Sequence, residues 1–182
     1  MEKGLSELNE IREKVEKEIE QAINKVCSKW EKSAVFMIDA NGLKLINDAY
    51  GHTLGDTLLV AIAKVLKIVF EEGIIFRWGG DEFVVLTEFK DFDPNDIITK
   101  FQNETSKVKI KSFTLSAAIG FATSVDNKNS IYDLINQAEG MMYDNKSFES
   151  LSTKRVLIDN ILQTLYNNFN FEEKHSQKVY HN

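Results

Sequence analysis

The stretch FRWGGDEFVVL, from Phe76 to Leu86, restricts the fold more than any other part of the chain. Two apolar runs, GIIFRW and FVVLTEF, flank a Gly-Gly-Asp-Glu turn, which reads as a β-hairpin with Asp81 and Glu82 at its tip. Taken alone, such a tip is a solvated turn, in which glycines supply positive φ and acids maintain solubility. Its meaning depends on what the remaining elements bring beside it.

SAVFMID (33–39) reads as a buried strand ending on an acid, and GLKLINDAYG as a short helix closed by Gly51. DTLLVAIAKVLKIVFEE is a longer helix with an inward apolar stripe. Asp93 and Pro94 form a cap and first-turn pair for a further helix. SFTLSAAIGFATS is a fourth strand, and SIYDLINQAEGMMYDNK is a helix capped by Ser130. A βαββαβ order of this kind predicts an α+β sandwich, ferredoxin-like, with an antiparallel central sheet and helices on one face. Extra helices flank it. Leu5, Leu8, Ile11, Val15, Ile19, Ile23, Val26 and Trp30 give the N-terminal segment a helical apolar stripe. TKRVLIDNILQTLYNNF gives the C-terminal one. The expected division is a domain over 1–150, with 151–182 a linker helix and the start of a following domain.

The net charge of −6, with acids and bases mixed along the chain, argues against a basic nucleic-acid clamp. A nucleotide stays admissible, because a metal ion can supply positive charge. One cysteine, Cys27, cannot form an internal disulfide, so a reducing cytoplasm is expected. The longest apolar stretch, Leu58 to Phe70, is interrupted by Lys64 and Lys67 and is too short to span a membrane.

In the expected fold the first strand neighbours the hairpin, so Asp39 and Asp81 converge at one edge of the sheet. Unpaired, the two carboxylates would raise each other's pKa, and a hard divalent cation resolves the conflict. Gly79 and Gly80 would also allow a phosphate close approach. Lys44 would point a cation at phosphate. Asn47 and Asp56 offer an amide and a carboxylate, which together can read a guanine edge. Each also has a bland reading: a solvated lysine, a cap, a helix N-cap. His52 is read as a turn residue.

DANGLKLINDAYGHTLGD (39–56), followed by RWGGDEF, resembles the GGDEF diguanylate cyclases, a bacterial signalling family, over about residues 33–146. SAAIGFA and AEGMMYDNK are similar to its later strand and final helix. The resemblance implies that Asp39, the carbonyl of Ala40 and Asp81 bind Mg²⁺, with Mn²⁺ as an alternative. Glu82 becomes a further metal ligand, or the group assisting deprotonation of the attacking hydroxyl. Asn47 and Asp56 would hold guanine, and Lys44 and Lys146 the triphosphate. Two GTP-loaded subunits of a homodimer would make cyclic di-GMP and pyrophosphate. The alternative is a GTP-binding regulatory module that controls a neighbouring hydrolase.

Some positions depart from the family pattern. Ser150 stands where the family has Arg, and GLSELN is only a remote echo of its N-terminal motif. The charged positions of its product-inhibition motif are Phe70 and Gly73. The tail ILQTLYNNFNFEEKHSQKV resembles the opening of an HD-GYP-type phosphodiesterase domain, which implies an adjacent HD-type partner. His175 and His181 read as solvated here.

Overall fold

The computed structural model describes residues 32–88, 93–111, 113–125 and 130–146, with single positions at 21, 30, 155, 158, 159, 161–163 and 166. The N-terminal stripe from Leu5 to Val26, Cys27, Ser150, His175 and His181 therefore lie outside the described residues.

β1 (Lys32–Ala40) leads into α1 (Leu43–Tyr50) and α2 (His52–Val69). The hairpin β2 (Ile74–Arg77) and β3 (Glu82–Glu88) follows, then α3 (Pro94–Lys107). A small hairpin, β4 (Lys109–Ile110) and β5 (Phe113–Thr114), precedes β6 (Ala117–Val125), and α4 covers residues 131–146. The run expected as one fourth strand is thus divided between β5 and β6. The four-stranded sheet has the order β2-β3-β1-β6, and every neighbouring pair is antiparallel.

β1 is buried from Ser33 to its end. Ala34, Phe36, Ile38 and Ala40 enter one core with Leu58, Ile62, Leu66, Phe101 and Ile119. Val35 and Met37 enter a second core with Val84, Leu86, Leu134, Ala138 and Met142. Helices therefore lie on both faces, which corrects the one-face expectation. α1–α3 cover one side and α4 the other. A half-exposed strand alternates apolar and polar residues, whereas AVFMI does not, because both of its faces are dry.

α4 sits unusually close to the sheet. A Cβ on Gly120 would lie 2.2 Å from the Met142 nitrogen and 2.3 Å from the Ala138 oxygen. Asn145 donates its side-chain amide to the Ile119 carbonyl at 3.0 Å. The caps behave as read. Asp93 accepts from the Asn95 N–H at 2.9 Å, and Ser130 Oγ accepts from the Asp133 N–H at 3.1 Å. Ile161, in the C-terminal segment, packs against the core on the α1–α3 side.

Candidate active site

The register of β1 on β3 places Asp39 opposite Glu82, so both side chains leave the same face of the sheet, the face that carries α4. The Ala40 N–H donates to the Asp81 carbonyl at 2.9 Å, which holds the hairpin tip against the end of β1. The tip is closed from within. Trp78 N–H donates to the Glu82 carbonyl at 2.8 Å, and the Arg77 guanidinium donates to the Gly80 carbonyl at 2.7 Å.

Asp39 is 4% exposed and Glu82 only partly covered. Lys146, from the end of α4, donates to Asp39 Oδ2 at 2.6 Å. Asp39 Oδ1 is buried with no hydrogen-bond partner. Burial pushes the Asp39 carboxyl above its ordinary value, the Lys146 ammonium opposes the shift, and Asp81 adds to it. Glu82 is also raised, first by burial and then by the charges of Asp39, Asp81 and Glu139, with Lys146 opposing. Burial thus outweighs the mutual repulsion from which sequence reasoning started. Glu139 was not singled out in the sequence. It lies two helical turns before Lys146 on α4, and only the docking of α4 on the second face brings it to Glu82.

The glycines of the tip act through space, not through backbone conformation. Positive φ occurs at Gly42 and Gly51, whereas neither Gly79 nor Gly80 has it. A Cβ on Gly79 would meet Glu82 Oε2 at 2.7 Å, and Gly80 faces open space. A side chain at position 79 would displace the Glu82 carboxylate.

Asn47 and Asp56 sit on consecutive helices, α1 and α2, hinged at Gly51 with φ 82. Neither plays the bland capping role. α2 begins at His52, ahead of Asp56, and the Asn47 side chain caps nothing. Instead Asn47 Oδ1 is buried without a partner, and it lies where a Cβ on Gly55 would fall, 2.0 Å away. Lys44 is exposed in the first turn of α1 and His52 at the start of α2. Asn41 follows directly on the end of β1. It ties β1 to the segment before β6: its N–H donates to the Ser116 carbonyl at 3.1 Å and its amide to Ser116 Oγ at 2.9 Å.

Two unpartnered oxygens, on Asp39 and on Asn47, therefore mark an acidic cluster and a polar notch. Among the described residues no group of three His, Cys, Asp or Glu side chains is placed to hold a metal ion by itself. Hard oxygen donors with net negative charge fit a cation such as Mg²⁺, which completes its shell with water and phosphate oxygens. A family model, the diguanylate cyclase GGDEF domain, matches residues 5–150.

The chain belongs to the GGDEF-domain family.

The bifunctional diguanylate cyclase/cyclic di-GMP phosphodiesterase MucR of Pseudomonas aeruginosa is 34% identical over 135 residues, 70% of this chain and 19% of MucR. Diguanylate cyclase DgcM of Escherichia coli strain K12 is 31% identical over 120 residues, 63% of this chain and 28% of DgcM. The chain thus spans less than a third of the length of either relative. The GGDEF domain of Pseudomonas aeruginosa TpbB (also YfiN) superposes with a TM-score of 0.62 at 28% identity, over 80% of this chain and 93% of that one. Among the described residues no GGDEF-domain helix is long and apolar enough to cross a membrane.

Proposed function

We propose that this GGDEF domain condenses two GTP molecules into cyclic di-GMP and two pyrophosphates. The observation that carries the reading is the convergence of Asp39, Asp81 and Glu82 at one end of the sheet, with Asp39 Oδ1 buried and unpartnered. Asp39, the Ala40 carbonyl, Asp81 and Glu82 are the groups that would hold Mg²⁺ or Mn²⁺. Such an ion supplies charge stabilisation to the attacking and leaving oxygens of an in-line displacement.

The chain's own residues do the rest. Asn47 and Asp56 bind guanine: the amide carbonyl and the carboxylate accept from its N–H groups, and the amide NH₂ donates to its carbonyl. Lys44 and Lys146 bind the triphosphate, and Gly79 and Gly80 leave room for it. Glu82, whose carboxyl holds protons more tightly than usual, is suited to take the proton of the 3′-hydroxyl. Each 3′-oxygen forms a bond to the α-phosphorus of the other GTP while that phosphorus loses its pyrophosphate. Two subunits must face each other for this, and most of the rate comes from holding the substrates in register.

The domain boundary at residue 150, a cytoplasmic setting and an HD-type neighbour belong to the same proposal. The neighbour rests on the tail sequence alone. Chromatography of a GTP and Mg²⁺ incubation tests the reading: cyclic di-GMP supports it, and unchanged GTP contradicts catalysis. Calorimetry with a non-hydrolysable GTP analogue then identifies a domain that binds without turnover.

A further inference from the structure

Lys146 sits where a metal ligand and a metal ion would have to meet. Its ammonium lies 2.6 Å from Asp39 Oδ2, with the Asp39 side chain 6% exposed and that of Lys146 34% exposed. The backbone beneath it is fixed, since Gly120 lets α4 close onto β6 and Asn145 holds the Ile119 carbonyl. Only the four-carbon stem of the lysine is free to swing. A dication on Asp39 Oδ1 and an ammonium on Oδ2 of the same carboxylate repel each other across a few ångströms. The two cations therefore compete for the one carboxylate charge.

We propose that Lys146 is the surrogate cation of the metal-free site: it holds Asp39 until a divalent metal binds there, then turns its ammonium to the phosphates of the nucleotide. The proposal rests on the metal reading above and adds an order to it. Without Lys146, burial leaves Asp39 facing Asp81 and Glu82 with no counter-charge. With it, the cluster stays folded and compensated, at the cost of weak metal binding when no nucleotide is present. A nucleotide offers the displaced ammonium a new partner, so metal and nucleotide bind cooperatively through one side chain.

The test is Mn²⁺ binding to the nucleotide-free protein, read from the electron paramagnetic resonance signal of the free ion, for wild type, Lys146→Met and Asp39→Asn. Circular dichroism checks that each is folded. Lys146→Met should bind Mn²⁺ about tenfold more tightly than wild type, because a competing point charge has gone. Adding a non-hydrolysable GTP analogue should tighten Mn²⁺ binding more in wild type than in Lys146→Met. In wild type, Mg²⁺ should also abolish the slowed Lys146 ammonium signal in a ¹H–¹⁵N spectrum. Equal or weaker Mn²⁺ binding by Lys146→Met, or no binding by either protein, overturns the exchange. If Asp39→Asn binds Mn²⁺ as wild type does, the metal reading itself fails, and the exchange with it.

Discussion

Asp39 and Glu82 are direct cross-strand partners, and both carboxyls are raised above their ordinary range chiefly by burial. Two acids from the central strands thus share one end of the sheet, with the Lys146 ammonium held against Asp39.

Stability should depend on pH through these acids. Both hold a proton more tightly folded than unfolded, so their contribution is full below the ordinary carboxylate range and is lost as pH climbs through their raised values. In a chelating buffer the melting temperature should fall as pH rises from about 4 toward neutrality. Glu82→Gln should flatten that fall. Parallel wild-type and Glu82→Gln profiles would show that the Glu82 carboxyl is not raised by its surroundings.

Gly120 should tolerate no side chain. The obstacles to a Cβ are backbone atoms of α4, which cannot turn aside. Gly120→Ala should cost about 1–3 kcal/mol in denaturant unfolding, as overpacking does, and should lift Lys146 away from Asp39. A variant as stable as wild type would mean that α4 does not press on β6.

The reading of guanine should depend on Gly55. Its Cβ would take the place of Asn47 Oδ1, a flexible tip that can move. Gly55→Ala should remain within about 1 kcal/mol of wild type, since alanine favours a helix. Wild type should bind a GTP analogue at least about tenfold more tightly than an ATP analogue, because mismatched buried polar groups are costly. Gly55→Ala should lose much of that preference. Calorimetry giving equal affinities for the two bases in wild type would remove Asn47 and Asp56 from base recognition.

Product feedback through residues 70–73 should be missing. Phe70 is buried, its ring 4.8 Å from that of Phe36, and a Cβ on Gly73 would press on Phe70 and Val85 at 3.0 Å. The exposed turn between them carries Glu71 and Glu72, which repel phosphate. With the active site blocked by a GTP analogue, calorimetry should show no tight cyclic di-GMP binding. Submicromolar binding abolished by substitutions at 70–73 would refute this.

The hairpin, the strand before it and the adjacency of Asp39 to its tip were legible because each depends on local pattern and one pairing. Other features were not. The second helical layer was hinted at only by the missing alternation in AVFMI, and Gly120, which admits α4, looks like any strand glycine. The glycines at 79 and 80 suggested positive φ, yet the reason for Gly79 lies in the room needed by a carboxylate from β3. Glu139 and the Lys146–Asp39 pair depend on a contact between the two ends of the domain, which no local pattern carries.

The most direct measurement is product formation from GTP and Mg²⁺ by wild type and Asp81→Ala, followed by chromatography, with the fold of each checked by circular dichroism. Asp81 lies at a hairpin tip outside both cores, so its truncation should leave the fold intact. Wild type should yield cyclic di-GMP only with the divalent ion present, and Asp81→Ala should yield none. Equal product from the two proteins, or product undiminished by a chelator, would contradict a metal site built on Asp39, Asp81 and Glu82.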